Sequence, residues 1–279
     1  MAVLRSPSAM PISRAPSKST AHYLCRTLRI PIMTTLSERL RRLLADECPL
    51  NDEEAFLQSL LRATLYAHLP LAHAPLGRIQ FVQFDRPDNG QRVLPLFTDR
   101  QKADFAARGN VRILALPGRK MLDLTQGATL MLNPNDEQYT LYPEEVAALR
   151  AGRPLGGIST ETVEGAVVCP PTVSVDPLVS VLAPFHASDP LVHASVVMEM
   201  RRGPSGDDRA LLLIIVTPPA EAERLVRASV VVAQPALASL SLPLLIRAWG
   251  LDEPLPMLWE QCVVIQAPRR SDDTRAGLH

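Results

Sequence analysis

The residue types that could do chemistry are few and widely spaced. His68 and His73 stand on either side of Pro70, and His186 and His193 flank Asp189-Pro190. A zinc site needs three or four donors at close spacing, and no third ligand stands near either pair. Both pairs therefore read as core-edge or solvent-facing histidines. Arg119 and Lys120 follow Pro117-Gly118 at an expected helix start, where backbone N–H groups can receive an anion such as a carboxylate. Asn133-Pro134-Asn135-Asp136 is a second candidate. Its first side chain can bond the local backbone in a turn or present an amide to a ligand.

Motifs with a defined chemistry are missing. The chain has no G-x-x-x-x-G-K-[ST], no G-x-S-x-G and no H-E-x-x-H. Gly152, Gly156 and Gly157 have the wrong spacing for a dinucleotide loop and follow a helix rather than a strand. No cofactor, metal or catalytic residue is expected. Cys25, Cys48, Cys169 and Cys262 form no C-x-x-C pair, and their wide spacing reads as reduced thiols in a cytoplasmic protein. Cys48 and Cys169 lack a cationic neighbour that would activate the thiol.

Punctuation along the chain sets out the elements that must hold these residues. Thr35 and Glu38 have the spacing of a capping box, so a short helix should run to about Asp46. Asn51 and the acids after it start a second helix, with Phe56, Leu57, Leu60 and Leu61 at helical spacing. Strands are expected at 65–69, 79–84, 93–98, 111–116 and 128–132, with Asp88-Asn89-Gly90 as a hairpin turn. Helices are expected at 99–108, 119–124 and 144–150. Residues 151–172 are rich in Gly, Pro and Thr and read as a linker. Beyond them come a short helix at 176–182, a hairpin of 192–200 with 210–216, a helix at 219–233 and a last strand at 262–266.

The 29 basic and 29 acidic residues cancel, which argues against a generic nucleic-acid binder. Among the basic residues arginine outnumbers lysine heavily, with only Lys18, Lys102 and Lys120 present, and the arginines are spread evenly. Hydrophobic residues make up 47%, enough for a core, but aromatics are only 4%, so that core is aliphatic. The uncharged run from Ala228 to Ile246 is broken by Pro235 and Pro243, and reads as buried core rather than a membrane span. Residues 1–33 carry five basic residues and no acid. They read as a disordered extension or as residues before a true start at Met33, although an acid-poor, Arg- and Ser-rich start also suits a transit peptide.

Five segments between Leu65 and Arg150 carry a family resemblance. They are Leu65-Tyr66-Ala67-His68-Leu69-Pro70, Val93-Leu94-Pro95-Leu96-Phe97-Thr98, Ala115-Leu116-Pro117-Gly118-Arg119, Leu130-Met131-Leu132-Asn133-Pro134, and the closing Leu141-Tyr142-Pro143-Glu144-Glu145-Val146-Ala147-Ala148-Leu149. In this order they resemble the N-terminal domain of the SseB family, which is named for enhanced serine sensitivity in bacteria. The region after Asp176 resembles the C-terminal domain paired with it in that family. The resemblance implies a bacterial, cytosolic, two-domain protein and brings no catalytic residues with it.

The expectation is an α+β protein with two domains, 34–150 and 173–268, each a mainly antiparallel or mixed sheet with packed helices, and a flexible tail over 269–279. A non-catalytic module binding a protein partner or a small metabolite is expected. The rival is an enzyme of unknown reaction acting on a small amino-acid-like metabolite. The expected ligand residues are Arg119 and Asn133. They meet only if the strand at 128–132 runs parallel beside the strand at 111–116.

Overall fold

The computed structural model describes residues 35–44, 50–72, 74–75, 77–155, 166–203, 206–253 and 258–268. Residues 1–33, His73, Cys25, Cys48, Gly156, Gly157 and the tail lie outside the described residues, so the readings placed on them do too. The architecture is α+β, with two sheets, and residues 35–279 cluster as one compact unit. No described helix is long and apolar enough to cross a membrane.

The first sheet is preceded by α1 (Leu36–Leu43) and α2 (Leu50–Arg62). The Thr35/Glu38 capping box at α1 is formed as expected, with Glu38 N donating to Thr35 Oγ1 and Thr35 N to Glu38 Oε2. There follow β1 (Thr64–Pro70), β2 (Phe84–Asp85), β3 (Arg92–Phe97), α3 (Arg100–Ala107), β4 (Val111–Pro117), α4 (Gly118–Leu124), β5 (Thr129–Leu132), β6 (Tyr139–Leu141) and α5 (Pro143–Arg150). The sheet order is β4-β1-β3-β5-β6, with β2 also on β3. Only β3 and β5 pair in parallel. Leu65, Ala67, Leu94, Leu96, Leu130 and Leu132 alternate onto one face and pack with α2, α4 and α5.

The second sheet contains β7 (Val167–Cys169), then α6 (Asp176–Ser188), β8 (Ala194–Arg202), β9 (Asp208–Val216), α7 (Ala222–Leu237), β10 (Leu244–Trp249) and β11 (Val263–Gln266). Its order is β10-β9-β8-β11, with β7 also on β8 and β10 parallel to β9. The β8–β9 hairpin is the one the sequence marks. Helices α6 and α7 cover the face carrying Val197, Leu211, Leu213 and Ile215.

Several elements differ from expectation. The expected strand 79–84 shrinks to β2, and residues 79–83 run without a ladder. The linker range contains β7, so part of it belongs to the second sheet. Both α6 and α7 run through an internal proline, Pro184 and Pro235. Each proline removes one helical hydrogen bond. Burial of His186 beyond the first, and of Ala236 beyond the second, holds the helix together across the gap.

Helix α7 meets α5 through two arginines. Arg224 pairs with Glu144 at 3.0 Å, and Arg227 with Glu145 at 2.8 Å. Glu145 also accepts from Tyr142 N at 2.8 Å, so one carboxylate caps α5 and anchors α7. Burial by itself would lower the Arg227 pKa, but Glu145, Tyr139 and Glu223 together outweigh it and hold the guanidinium charged. Val231 of α7 enters the core beneath the first sheet.

Candidate functional site

The second face of the first sheet is only partly covered. Helix α3 starts at Asp99, whose carboxylate accepts from Lys102 N at 2.8 Å, and ends at Arg108 and Gly109, both in the left-handed region. It packs against β1, β3 and β4. His68 fixes its position: Nε2 donates to Ala103 O across 2.9 Å while the ring lies against Phe97, centroids 4.6 Å apart. His68 is thus a buried strut between strand and helix.

The rest of that face is a groove, and Pro95 opens it. Strands β1 and β3 pair as Tyr66 with Phe97 and Ala67 with Leu96. The next rung would set His68 against Pro95, which has no N–H to give. His68 O accepts instead from Val82 N at 2.9 Å, and β2 takes over beside β3 at Phe84 and Val93. The sheet therefore forks at Pro95. The fork bounds a cavity of about 510 Å³ with Phe84, Pro95, Phe97, Ala106, Met131 and Pro134 in its walls. A second cavity of about 340 Å³ adjoins it, sharing Phe97 and Asn135 and bordered by Gln101, Lys102 and Phe105. Phe105 leaves 75% of its surface in solvent, which is unusual for a phenylalanine on a helix.

Each end of the groove carries a cation paired with carboxylate. At the hairpin end, Arg86 donates to both carboxylate oxygens of Asp88, through Nε at 3.0 Å and Nη2 at 2.5 Å. The Arg86 hydrogen bond holds the Asp88 carboxyl below its ordinary value. At the other end, Lys102 lies 3.2 Å from Asp136 and 2.6 Å from Glu137. Burial pushes the Glu137 carboxyl up, but hydrogen bonds from Lys102 and Asn133 outweigh it and the net shift is down. The charged groups lining the groove are thus neutralised within it.

Asn133 supplies the corner that carries one wall, and its φ is +48°. Its Oδ1 accepts from Thr98 N at 3.0 Å and its Nδ2 donates to Thr98 Oγ1 at 2.8 Å. Its backbone oxygen accepts from Asp136 N and Gln138 N. Both ends of the amide are spent inside the fold, and the side chain is buried. Arg119 is exposed on α4. Strands β4 and β5 are not neighbours, because β1 and β3 lie between them. Three strand spacings separate them, roughly 14 Å. The pairing that would bring Arg119 to Asn133 is not formed. Gly118 serves packing: a Cβ there would fall 1.9 Å from Leu60 O of α2. Its N–H is used by Ala63 O at 2.8 Å.

The other polar clusters are structural. His186 is fully buried, with Nδ1 at 2.8 Å from Ser195 Oγ and Nε2 at 3.1 Å from Ser229 Oγ, and so ties α6 to β8 and α7. Burial, opposed in part by Asp189, takes its pKa down to about 4. Glu199 accepts from Thr172, Arg201 and Arg209, and the Arg209 bond leads in holding it well below the carboxylate range. No group of three or more His, Cys, Asp or Glu that could hold a metal exists among the described residues.

Residues 36–148 match the family model of the SseB protein N-terminal domain. That stretch is similar to an SseB N-terminal domain. The match runs from the start of α1 into α5 and so takes in the whole first sheet and its groove. Comparison with curated proteins and with solved structures returned no match. Two segments behind the sequence resemblance build the groove of this SseB-like region. Pro95 and Phe97 floor it, and Asn133-Pro134 turn its wall. The groove residues Phe84, Arg86 and Phe105 carried no motif. One signal could have found them: four of the six phenylalanines, Phe81, Phe84, Phe97 and Phe105, fall within 25 residues of an aromatic-poor chain.

Proposed function

We propose that this chain is a non-catalytic binding module whose SseB N-terminal domain holds apolar groups of a partner protein in the groove between α3 and the 133–138 corner. The observation behind this is a half-open groove with apolar walls whose lining charges are already paired. Such a surface stabilises apolar side chains by removing them from water and offers no poised acid or base. The exposed ring of Phe105 at its edge has the character of an interface anchor. An intracellular setting belongs to the same reading, supported by Cys169 and Cys262, which are free thiols. The second sheet, from β7 onward, is read as the companion domain, joined through the α5–α7 arginines.

The test is to fill the groove. Ala106→Trp and Met131→Trp each place an indole in the larger cavity. Calorimetric titration with the neutral dipeptide N-acetyl-Leu-Phe-amide should show weak saturable binding to the parent chain and at least tenfold weaker binding to both variants. Equal binding by parent and variants would overturn the assignment.

A further inference from the structure

The ion pairs Arg86–Asp88 and Lys102–Asp136, at opposite ends of the groove, share one feature: neither presents its two charges equally. At one end the side chain of Asp88 is 56% exposed while that of Arg86 is 13% exposed. At the other end Asp136 is 54% exposed and Lys102 is 19% exposed. At each end one carboxylate, Asp88 or Asp136, faces out over a half-buried cation, and Lys102 is also held from below by Glu137, which is 5% exposed. An occupant therefore meets apolar walls in the middle and a carboxylate at each end. The floor between the ends follows β3 from Leu96, where Asn133 N is bonded, to Arg92, beside the hairpin that carries Arg86. Four strand residues span roughly 13 Å. That exceeds the reach of a single amino-acid-sized metabolite and matches an extended peptide of about four residues. The two cavities meet at Phe97 and Asn135, which suits two successive apolar side chains pointing the same way, two residues apart.

We propose that the groove takes an extended segment of a partner protein with two apolar side chains at i and i+2, flanked at both ends by lysine or arginine. This rests on the reading of the groove as the binding site. The apolar pair fills the cavities over Pro95, Phe97 and Met131. One flanking cation meets Asp88. The other meets Asp136, where the exposed face of Phe105 also attracts a guanidinium. The half-buried cations Arg86 and Lys102 hold both carboxylates in place, so the occupant's charge is received without rearranging the site. Acidic flanks are disfavoured because they would meet like charge at each end.

A display library of random hexapeptides, panned on the full chain and counter-selected on the Ala106→Trp variant, tests this. Enriched sequences should carry an apolar pair two apart with Lys or Arg outside it. Replacing both flanking cations by Gln in the best peptide should weaken binding about tenfold. Asp88→Asn with Asp136→Asn should produce the same loss for the cationic peptide and leave the Gln peptide unchanged. Rising salt should weaken only the cationic peptide. Enrichment of neutral or acidic flanks, or indifference to the double variant, overturns the charge assignment while leaving the groove as the site. Peptides that bind Ala106→Trp equally well overturn the site itself. No enrichment over the counter-selection overturns a peptide occupant, and binding of N-acetyl-Leu-Phe-amide then shows whether the groove still holds small apolar groups.

Discussion

Replacing Asn133 should destabilise the fold rather than merely weaken a ligand. Its amide is buried and doubly bonded to Thr98, at 3.0 Å to the backbone N and 2.8 Å to Oγ1. Asn133→Ala strands the buried Thr98 N–H, a loss of about 1–3 kcal/mol. Thr98 Oγ1 fares better, because it keeps its 2.6 Å bond to Ser37 Oγ. Alanine must also hold a left-handed backbone, which adds about 1 kcal/mol. The total is about 2–4 kcal/mol. Asn133→Gly loses the same hydrogen bonds but tolerates the φ, so it should cost about 1 kcal/mol less than alanine. Urea denaturation followed by circular dichroism, with the slope compared across the three proteins, measures both differences. An alanine variant within 0.5 kcal/mol of the parent, or a glycine variant worse than the alanine one, would refute the reasoning.

Three further outcomes follow from the packing. Gly118→Ala should cost about 3 kcal/mol or more, because the 1.9 Å approach to Leu60 O involves backbone on both sides; a neutral effect in the same urea assay would contradict the α2–α4 contact. Arg227→Met should cost about 3–5 kcal/mol by leaving Glu145 buried without its cation, and adding Glu145→Gln should recover a good part of it while keeping the cap of Tyr142; a double variant no better than the single one would contradict the pairing. His186 titrates near 6.5 when unfolded and at about 4 when folded, so the unfolded chain binds more protons between those values and stability falls as pH drops through that window. The contribution lost by pH 4 is up to about 3 kcal/mol, and His186→Gln should flatten the pH dependence of urea midpoints; an unchanged slope would refute it.

Much of the first sheet was legible because its punctuation is strong. Asp99, Gly109 and Pro143 bound α3 and α5 as capping chemistry says they should. The turn at Asp88-Asn89-Gly90 forms, with Gly90 in the left-handed region and Gly90 N donating to Arg86 O. The extent of α6 and α7 was not legible, because a proline stops a helix by local rules and tertiary burial overrode them. Nor was the pairing of β10 with β9 in parallel, since a crossover pairing leaves no local mark. The groove stayed hidden for a related reason. It depends on a hydrogen bond that Pro95 cannot make and that Val82 makes instead, a long-range substitution no window of sequence displays. Arg119 and Asn133 drew notice by residue type alone, while sheet order set two strands between them.

The most direct test of the groove as a binding site is a titration of the ¹⁵N-labelled chain with N-acetyl-Leu-Phe-amide, following amide shifts residue by residue. The saturable shifts should concentrate on Phe97, Gln101 to Ala106, Met131 and Asn135 to Gln138, and vanish in Ala106→Trp. Saturable shifts that cluster on the second sheet, or that persist unchanged in Ala106→Trp, would contradict the account.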